Sequence, residues 1–345
     1  MSSERAANVV YVGNAESCDI SVLLLDRRSG ELTAIETAAI PGAAPGLSTP
    51  MAVSPDRRVL FVGVRSEPYA VASFAIDATS GRLVHLGNGP LADSMAYLVT
   101  DRSGRYLLSA SYGGHKVAVN PIGSDGIVGK VQQVVPTAPN AHCILPDPAN
   151  RYVLAACLGG DVVKQFCFDA MSGTLAPNAP AGVTVNDGAG PRHLVFHPCG
   201  KFVYVVGELD GAIGVFDYDA ARGLLGKTQV LSALPPGFAG KPSAADLHVT
   251  PDGRFLYGSE RTSSTLAAFA IDPASGRLRA IGSYRTEKQP RGFRIDPAGR
   301  YLLAAGQLSH RLTSYAIDPA GGTLTQLKQY PMGRNPNWIE IVDLP

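Results

Sequence analysis

The sequence predicts an all-β protein, and two repeated motifs support this fold class. The chain of 345 residues contains 38 glycines and 26 prolines, spread evenly along its length. Turn-forming residues that separate many short apolar runs are typical of numerous short strands. The two motifs recur out of phase with each other, so each period of the sequence contains two predicted hairpins.

The first motif is a strand, a tight turn rich in Pro, Asp and Gly, and a second strand that opens after a basic residue. HPCGKFVYVVG at 197–207 is an example. The motif returns roughly every 49 residues, a period typical of repeat architectures. Its basic residues are Arg58, Arg105, Arg151, Lys201, Arg254 and Arg300.

The second motif is an apolar strand, a D-x-x-x-G turn, and a strand that opens with Leu, Ile or Val. FAIDPASGRLRAI at 269–281 is an example. A degraded version, VNPIGSDGIVG at 119–129, fills the one slot that has no clear copy. The clear copies are 23–35, 74–86, 166–177, 215–226, 269–281 and 315–327.

Two hairpins per period give four antiparallel strands, which is the unit of a β-propeller blade. We therefore predict a seven-bladed β-propeller that occupies residues 1–345 as a single domain. The N-terminal stretch supplies only three strands, and NPNWIEIVD at 335–343 offers the missing innermost strand. The ring would close by pairing the N- and C-terminal strands in one blade, which removes exposed sheet edges. An irregular β-sandwich, the alternative, does not readily explain seven phased copies.

The composition argues against several classes of protein. Thirty basic residues balance 29 acidic ones, so neither nucleic acid nor a membrane surface is an expected partner. The start at 1–13 shows no secretory signal, and no apolar run approaches the roughly 20 residues that span a bilayer. The five cysteines show no CxxC or zinc spacing, which favours reduced thiols and no metal. We expect a cytoplasmic monomer or weak dimer without a cofactor.

The predicted topology collects the variable polar residues at one mouth of the central channel. The start of each inner strand and the end of the next strand meet there, opposite the Pro/Asp/Gly turns. We expect a binding site from residues at fixed distances from the basic residues. They are Arg65, Tyr112, His142, Arg192, His193, Glu208, Asp246, Arg261, Arg291, Gln307 and Asn337.

Four arginines among these residues indicate a small anionic ligand, because a guanidinium group pairs with carboxylate and phosphate through two hydrogen bonds. Ordinary ion pairs between blades are the alternative for each arginine and for Glu208 and Asp246. Structural hydrogen bonding is the alternative for His142 and His193, and we interpret His197 and His248 as structural. The sequence contains neither a G-x-S-x-G nor an H-E-x-x-H motif.

The stretch GAGPRHLVFHPCGKFVYVVGELDG at 188–211 resembles the signature of the seven-bladed propeller lactonases. That family includes cycloisomerase-2-type 6-phosphogluconolactonases, aldarate lactonases and carboxymuconate lactonizing enzymes. SYGGHKV at 111–117 and the segments 243–261 and 289–307 fit the same family in the same order. The resemblance covers essentially the whole chain and implies four catalytic residues: His142, Arg192, Glu208 and Arg261.

The resemblance implies hydrolysis of an anionic sugar lactone, with Glu208 or His142 as the general base that activates water. The substrate would be 6-phosphoglucono-1,5-lactone or an aldarate lactone such as galactaro- or glucaro-lactone. The family's H-P-H, N-E-L and S-N-R-G-H segments are NAH, GEL and SERTS here, which bears on the substrate more than on the reaction. The alternatives are a carboxymuconate-type cycloisomerase (a lyase) and a non-enzymatic binding platform, which only Tyr97, Tyr112 and Trp338 support.

Overall fold

The computed structural model describes residues 7–344, which form seven four-stranded antiparallel sheets. The innermost strands of neighbouring sheets contact one another around a central channel, so the fold is the predicted seven-bladed propeller. That residues 1–345 make up one domain stays a prediction. Residues 1–6, on which the predicted lack of a secretory signal partly rests, lie outside the described residues.

The strands follow the chain from the inside of each blade to its outside, except in the first blade. They are β1 Ala7–Asn14, β2 Asp19–Asp26, β3 Leu32–Ala39, β4 Met51–Val53, β5 Val59–Val64, β6 Ala70–Ile76, β7 Leu83–Pro90, β8 Met95–Thr100, β9 Tyr106–Ser111, β10 Lys116–Pro121, β11 Gln133–Pro136, β12 Ala141–Pro146, β13 Tyr152–Cys157, β14 Val162–Asp169, β15 Thr174–Thr184, β16 Pro191–Phe196, β17 Phe202–Gly207, β18 Ala212–Asp219, β19 Leu224–Ser232, β20 Ala244–Val249, β21 Phe255–Glu260, β22 Thr265–Ile271, β23 Leu278–Arg285, β24 Pro290–Ile295, β25 Tyr301–Gly306, β26 Arg311–Ile317, β27 Leu324–Pro331 and β28 Pro336–Val342. The only helical segment among residues 7–344 is a 3₁₀ turn, Leu158–Gly160, and no helix there is long and apolar enough to cross a membrane.

The first blade closes the ring as predicted. Its strand order is β28-β1-β2-β3, and β28 runs antiparallel to β1 with Ile339 opposite Val12 and Ile341 opposite Val10. All four of these side chains are buried. The closing strand is therefore held both by its hydrogen bonds to β1 and by apolar packing.

The degraded copy at 119–129 occupies the expected slot but differs in detail. Its turn carries only an isolated bridge between Ile122 and Val128, and the outer strand of this blade is the short β11, Gln133–Pro136. We expected the strand to follow the turn directly. The turn at 119–129 lacks the D-x-x-x-G spacing of the other copies, and the Ile–Val pair that follows it forms only this bridge before the outer strand begins.

The repeated residues of the two motifs join each blade to the next at the turn end of the ring. Tyr152 lies against Gly223 in the D-x-x-x-G turn of the following blade, and its hydroxyl donates to the Ala221 carbonyl. Arg151 donates to the neighbouring Ala220 carbonyl at 2.7 Å. Gly223 has φ +68°, a conformation that glycine adopts without strain. The basic residue, the following aromatic residue and the glycine therefore form one interblade clamp.

Candidate active site

The mouth of the channel opposite the clamps is shaped by a β-bulge at the start of most inner strands. In β12, Ala141 pairs with Cys157 and Cys143 with Ala156, so His142 is the extra residue. Arg192 in β16 and Arg291 in β24 are extra residues in the same way, as is Asn337 in β28. Bulges redirect side chains and are common beside active sites. Four of the predicted site residues therefore owe their orientation to bulges.

The end of each second strand is fixed beside the bulge by a backbone hydrogen bond. The Glu208 amide donates to the Gly190 carbonyl at 2.8 Å, and the Arg261 amide donates to the Ser243 carbonyl at 3.1 Å. Gly190 has φ +63° and lies two residues before Arg192. This geometry explains why residues that are distant in the sequence, such as Arg192 and Glu208, share one mouth.

Glu208 lies between two arginines from different blades. Its Oε2 is 2.8 Å from Arg192 Nε, and its Oε1 is 2.8 Å from Arg261 Nη2. Both contacts are close, but the two guanidinium N–H groups are not well aligned for hydrogen bonds, so charge attraction dominates them. Arg261 Nε also donates to the Ser243 carbonyl at 2.9 Å. The carboxylate therefore sets the relative position of the two guanidinium groups.

The charges around Glu208 keep it ionised. Burial by itself would raise its pKa, but Arg192, Arg261 and Arg291 outweigh burial and leave the pKa of Glu208 lowered. The pKa of Arg192 is lowered to about 10 by burial and by the repulsion from Arg261, with Glu208 acting in the opposite direction. A carboxylate with a lowered pKa is a weaker base, so this position suits alignment of the arginines better than proton abstraction.

Arg291 and Arg65 add positive charge to the same mouth, and neither forms an ion pair within residues 7–344; Asp93, which is paired with Lys116, acts on Arg65. Arg291 has neither a hydrogen bond nor an ion pair within the part of the chain that the structure describes. Burial lowers its pKa well below the usual value, and so do Arg192, Arg261 and Arg65. Arg65 donates to the hydroxyls of Ser48 and Ser94. The predicted convergence of four arginines is therefore present in the structure.

His142 is buried next to this cluster and is neutral at neutral pH. Burial lowers its pKa well below the usual value, and Arg192, His193 and Arg291 lower it further. Its Nδ1 is closed off from solvent and has no hydrogen-bond partner among residues 7–344. Nε2 has no hydrogen bond and is not closed off in this way. A proton on Nδ1 would leave the lone pair of Nε2 available to a water molecule.

His193 and Asp246 lie one layer deeper than the arginines. His193 Nδ1 is 2.8 Å from Asp246 Oδ1, and His193 Nε2 is 3.1 Å from Arg192 Nη1. The second carboxylate oxygen of Asp246 lies 3.2 Å from His248 Nε2. His193 is only 5% exposed. We predicted both residues as substrate-binding. Their side chains contact protein groups, and both residues also line the cavity behind the mouth, so a substrate-binding role stays a prediction.

The three remaining predicted residues differ in how open they are. Tyr112 is 38% exposed, and its ring lies 5.7 Å from the ring of His142. Gln307 donates to Asn335 and keeps a buried carbonyl oxygen without a partner in the described chain. Asn337 is buried: it accepts from the Thr49 amide and donates to the Asn335 carbonyl. Tyr112 is therefore the residue of this group that is most open to a ligand.

A large cavity lies behind this mouth. It has a volume of about 550 Å³ and follows the inner strands from Arg192 and Arg291 to the turn end, near Arg102 and Pro251. His142, Glu208 and Arg261 do not line it. We place the site at the mouth and not in this channel, because the mouth is where the four arginines and Glu208 meet.

Comparison with known proteins agrees with this geometry. The family model described as "Lactonase, 7-bladed beta-propeller" matches residues 9–341. The chain belongs to this family. A 6-phosphogluconolactonase of Serratia proteamaculans is 42% identical over 97% of this chain and 98% of its own, and one of Pectobacterium carotovorum is 44% identical over 84% of each. A structure described as the periplasmic gluconolactonase of Pseudomonas aeruginosa is 30% identical, with a TM-score of 0.89 over 98% of this chain and 100% of its own.

The comparisons confirm the predicted resemblance and the enzyme class: this propeller is a lactonase. They favour hydrolysis over the lyase and the binding-platform alternatives. A cytoplasmic location stays a prediction, since one similar structure is described as periplasmic. The oligomeric state and the expected lack of nucleic-acid partners also stay predictions.

Sequence reasoning missed several groups that hold the site together. Ser48 and Ser94 fix Arg65, and Asn335 fixes both Gln307 and Asn337. Asn335 has φ +58°, and it lies two residues before Asn337, as Gly190 lies two before Arg192. The sequence signal for these groups was a small or amide residue that directly precedes a proline and lies two residues before a predicted site residue.

Proposed function

We propose that this lactonase hydrolyses 6-phosphoglucono-1,5-lactone and binds its phosphate group through the arginines of the mouth. The observation that supports this most is the charge imbalance: Arg192, Arg261 and Arg291 all act on one carboxylate, Glu208, and Arg65 adds positive charge near Arg291. Arg291 forms no ion pair within residues 7–344, although the Glu208 charge acts on it. A phosphate dianion offsets more of this charge than a single carboxylate does, and guanidinium groups suit phosphate geometry.

The relatives support the same substrate. The proteins at 41–44% identity over most of the chain carry the name 6-phosphogluconolactonase. An aldarate lactone remains the second candidate, because the NAH and SERTS segments depart from the family pattern and such a lactone also offers a carboxylate to the arginines. Uncharged gluconolactone offers the arginines no anion, and each lost charge-assisted hydrogen bond costs about 1.5–3 kcal/mol.

The chemistry requires a base, a group that stabilises the oxyanion, and a proton for the leaving oxygen. We assign the base to Nε2 of His142, which takes a proton from water as the water oxygen bonds to the lactone carbonyl carbon. The carbonyl electrons move to oxygen, where an arginine N–H of Arg192 or Arg261 stabilises the charge. When the carbonyl re-forms, the ring C–O bond breaks, and the protonated His142 returns the proton to the departing oxygen.

Glu208 has the complementary task in this scheme. With both oxygens next to guanidinium groups and a lowered pKa, it aligns Arg192 and Arg261 for the transition state. Substrate binding would also change the basicity of His142. An anion among the arginines opposes the repulsion from Arg192 and Arg291 that lowers the pKa of His142, so an anionic substrate would make the base stronger as it binds.

The test compares kcat/KM for 6-phosphogluconolactone, glucarolactone and gluconolactone after spontaneous hydrolysis has been subtracted. Wild type should prefer the phosphorylated lactone, and Arg291→Gln should lose at least about tenfold on the two anionic lactones and little on the neutral one. Arg279→Gln, on the exposed side of β23, is the matched control and should behave as wild type. Equal hydrolysis of all three lactones by wild type would contradict the proposal.

A further inference from the structure

The deeper layer of the mouth contains a continuous series of polar contacts that the hydrolysis scheme does not use. It runs from Asp246 on β20 to His193 on β16 and on to Arg192, with separations of 2.8 Å and 3.1 Å. Arg192 Nη1 also donates to the Ala245 carbonyl. Arg192 is 1% exposed and His193 is 5% exposed, so little of either side chain faces solvent, although both line the cavity behind the mouth.

The contacts determine which ring nitrogen of His193 carries the proton. Arginine can only donate, so His193 Nε2 must accept from Arg192 and cannot carry a hydrogen. The proton of the neutral ring is then on Nδ1, where it is donated to Asp246 Oδ1. The carboxylate selects one tautomer, and that tautomer presents a lone pair to Arg192.

The charges around His193 also keep its ring neutral. Its pKa is lowered to about 4 by burial and by the Arg192 charge, although Asp246 acts in the opposite direction. The groups that face it from the packed strands are Arg192, His142, Asp246, Arg291, Tyr97 and Trp338, with His248 beyond Asp246. A protonated ring would direct an N–H at the guanidinium group and break the series.

The series leaves one nitrogen of Arg192, Nη2, free to donate to a ligand. Nη1 is engaged with His193 and Ala245, and Nε faces Glu208. Nη2 has no partner within residues 7–344 and is not closed off from solvent. With the other two nitrogens fixed, the guanidinium plane cannot rotate without losing these contacts.

We propose that Asp246 and His193 are positioning residues that fix the tautomer of His193 and thereby the orientation of Arg192, and that neither contacts the substrate. This inference rests on the proposed role of Arg192 in lactone hydrolysis. It replaces the substrate-binding role that the sequence predicts for both residues. An error of about 1 Å in the position of such a group can lower the rate about 10²-fold.

The direct test is a ¹⁵N–¹H correlation spectrum of the histidine rings in the wild-type protein. His193 can be assigned through its contacts with the rings of Tyr97 and Trp338, so no variant is required. We expect a neutral ring with the proton on Nδ1 from pH 8 to 6. A proton on Nε2, or a titration near pH 6.5, would overturn the proposal whatever the substrate proves to be.

Kinetics supply the second test, with whichever lactone wild type hydrolyses best. His193→Phe keeps the ring packing but removes the acceptor, and we expect it to lower kcat by about 10- to 100-fold. His193→Gln keeps an uncharged acceptor and should lose less than about tenfold. His248→Gln, which touches Asp246 but not Arg192, is the matched control. Equal losses in the Phe and Gln variants, or a change in KM alone, would contradict the proposal.

The kinetic and spectroscopic results separate this inference from the proposed function. If the lactone comparison fails but the Nδ1 tautomer and the difference between the Phe and Gln variants are found, the positioning role stands for another substrate. If the lactone comparison succeeds but the Nδ1 tautomer and the difference between the Phe and Gln variants are not found, the substrate assignment stands and the positioning role is wrong.

Discussion

The two mouths of the channel are built from the same seven blades, but contacts repeat from blade to blade at one mouth and residues differ between blades at the other. At the turn end, one set of contacts recurs from blade to blade: Tyr106, Tyr152 and Tyr301 each donate to a carbonyl in the D-x-x-x-G turn of the next blade. At the other end, the blades contribute different residues, such as His142, Arg192 and Arg291, from equivalent bulge positions.

The difference shows how stability and chemistry are divided along each strand. The turn end gains stability from repetition, because each clamp repeats a low-strain arrangement of basic residue, aromatic residue and glycine. The bulged end buries Arg291 beside other arginines. Burial and then the like charges lower its pKa well below the usual value, and this arrangement costs stability. Functional sites commonly carry such a cost. Substitutions at the turn end should therefore affect stability alone, whereas substitutions at the mouth should lower activity, with an effect on stability that depends on the sign of the charge removed.

The largest effect should come from a change that breaks both ends together. Deletion of residues 335–345 removes β28, and with it the buried Ile339 and Ile341 and the bonds of Asn337 at the mouth. We expect the cooperative thermal unfolding transition to disappear in circular dichroism. Arg334→Ala, at an exposed residue just before the strand, should melt like wild type. A truncated protein with an unchanged transition would disprove the closure argument.

A second prediction sharpens the comparison within the mouth. Glu208→Gln should lower kcat/KM by at least about 10²-fold. It should also lower the free energy of unfolding by about 3 kcal/mol, because it leaves the buried Arg192 charge without its carboxylate. Arg291→Gln should instead raise the melting temperature, since it removes a cation that its neighbours repel. Kinetics measure the loss of activity, and thermal melts measure whether Glu208→Gln is less stable and Arg291→Gln more stable than wild type. A lower melting temperature for Arg291→Gln would contradict the conclusion that repulsion among the arginines destabilises the mouth.

The pH dependence of stability should also arise at the mouth. The pKa of His193 is lowered to about 4 in the folded protein, against about 6.5 for the unfolded chain. Between these values the unfolded chain binds a proton that the folded protein does not. Stability should therefore fall as the pH decreases from about 6.5 to 4, by about 3 kcal/mol for this group. His142 acts in the same direction.

Urea unfolding at several pH values checks this prediction. His193→Gln lacks the titrating ring, so its stability should change less over the same window. Equal pH slopes for wild type and His193→Gln would show that the acid sensitivity originates elsewhere.

The smallest effect should come from a single clamp. Gly223→Ala places a methyl group against the Tyr152 ring at φ +68°, and Gly188→Ala has a similar φ of +72° with no atom nearby. The left-handed conformation costs both variants roughly 1–2 kcal/mol, and Gly223→Ala should lose more because of the clash. Thermal melts measure the difference, while kcat/KM of Gly223→Ala should equal that of wild type. Equal losses in the two variants would mean that the clamp contributes nothing.

Much of the fold was predictable because the turn end is repetitive. The Pro/Asp/Gly turns and the D-x-x-x-G turns mark four strands per period, and the incomplete first blade pointed to 335–343 as its missing strand. The short outer strand β11 was not predicted, because its turn at 119–129 departs from the repeat. Repetition therefore determines both what the sequence predicts and where the prediction is wrong.

The site was predictable in position but not in detail. Counting from the basic residues placed Arg192, Glu208 and Arg261 at one mouth, and in the structure each of the two arginines lies 2.8 Å from Glu208. The direction of His193 and Asp246 was not predictable. One extra residue in a strand changes the face to which the following side chains point, and a bulge leaves no mark in the apolar pattern.

The closing strand determines when an active site can form during synthesis of the chain. Translation proceeds from the N-terminus, so β1 is made before β28, and the β1 edge that pairs with β28 stays unpaired until β28 has been made. β28 also supplies Asn337, whose side chain accepts from the Thr49 amide of the second blade. A nascent chain with six finished blades would still lack this part of the mouth. Activity should therefore arise in one step, once β28 has joined the first blade, and not grow with the number of finished blades.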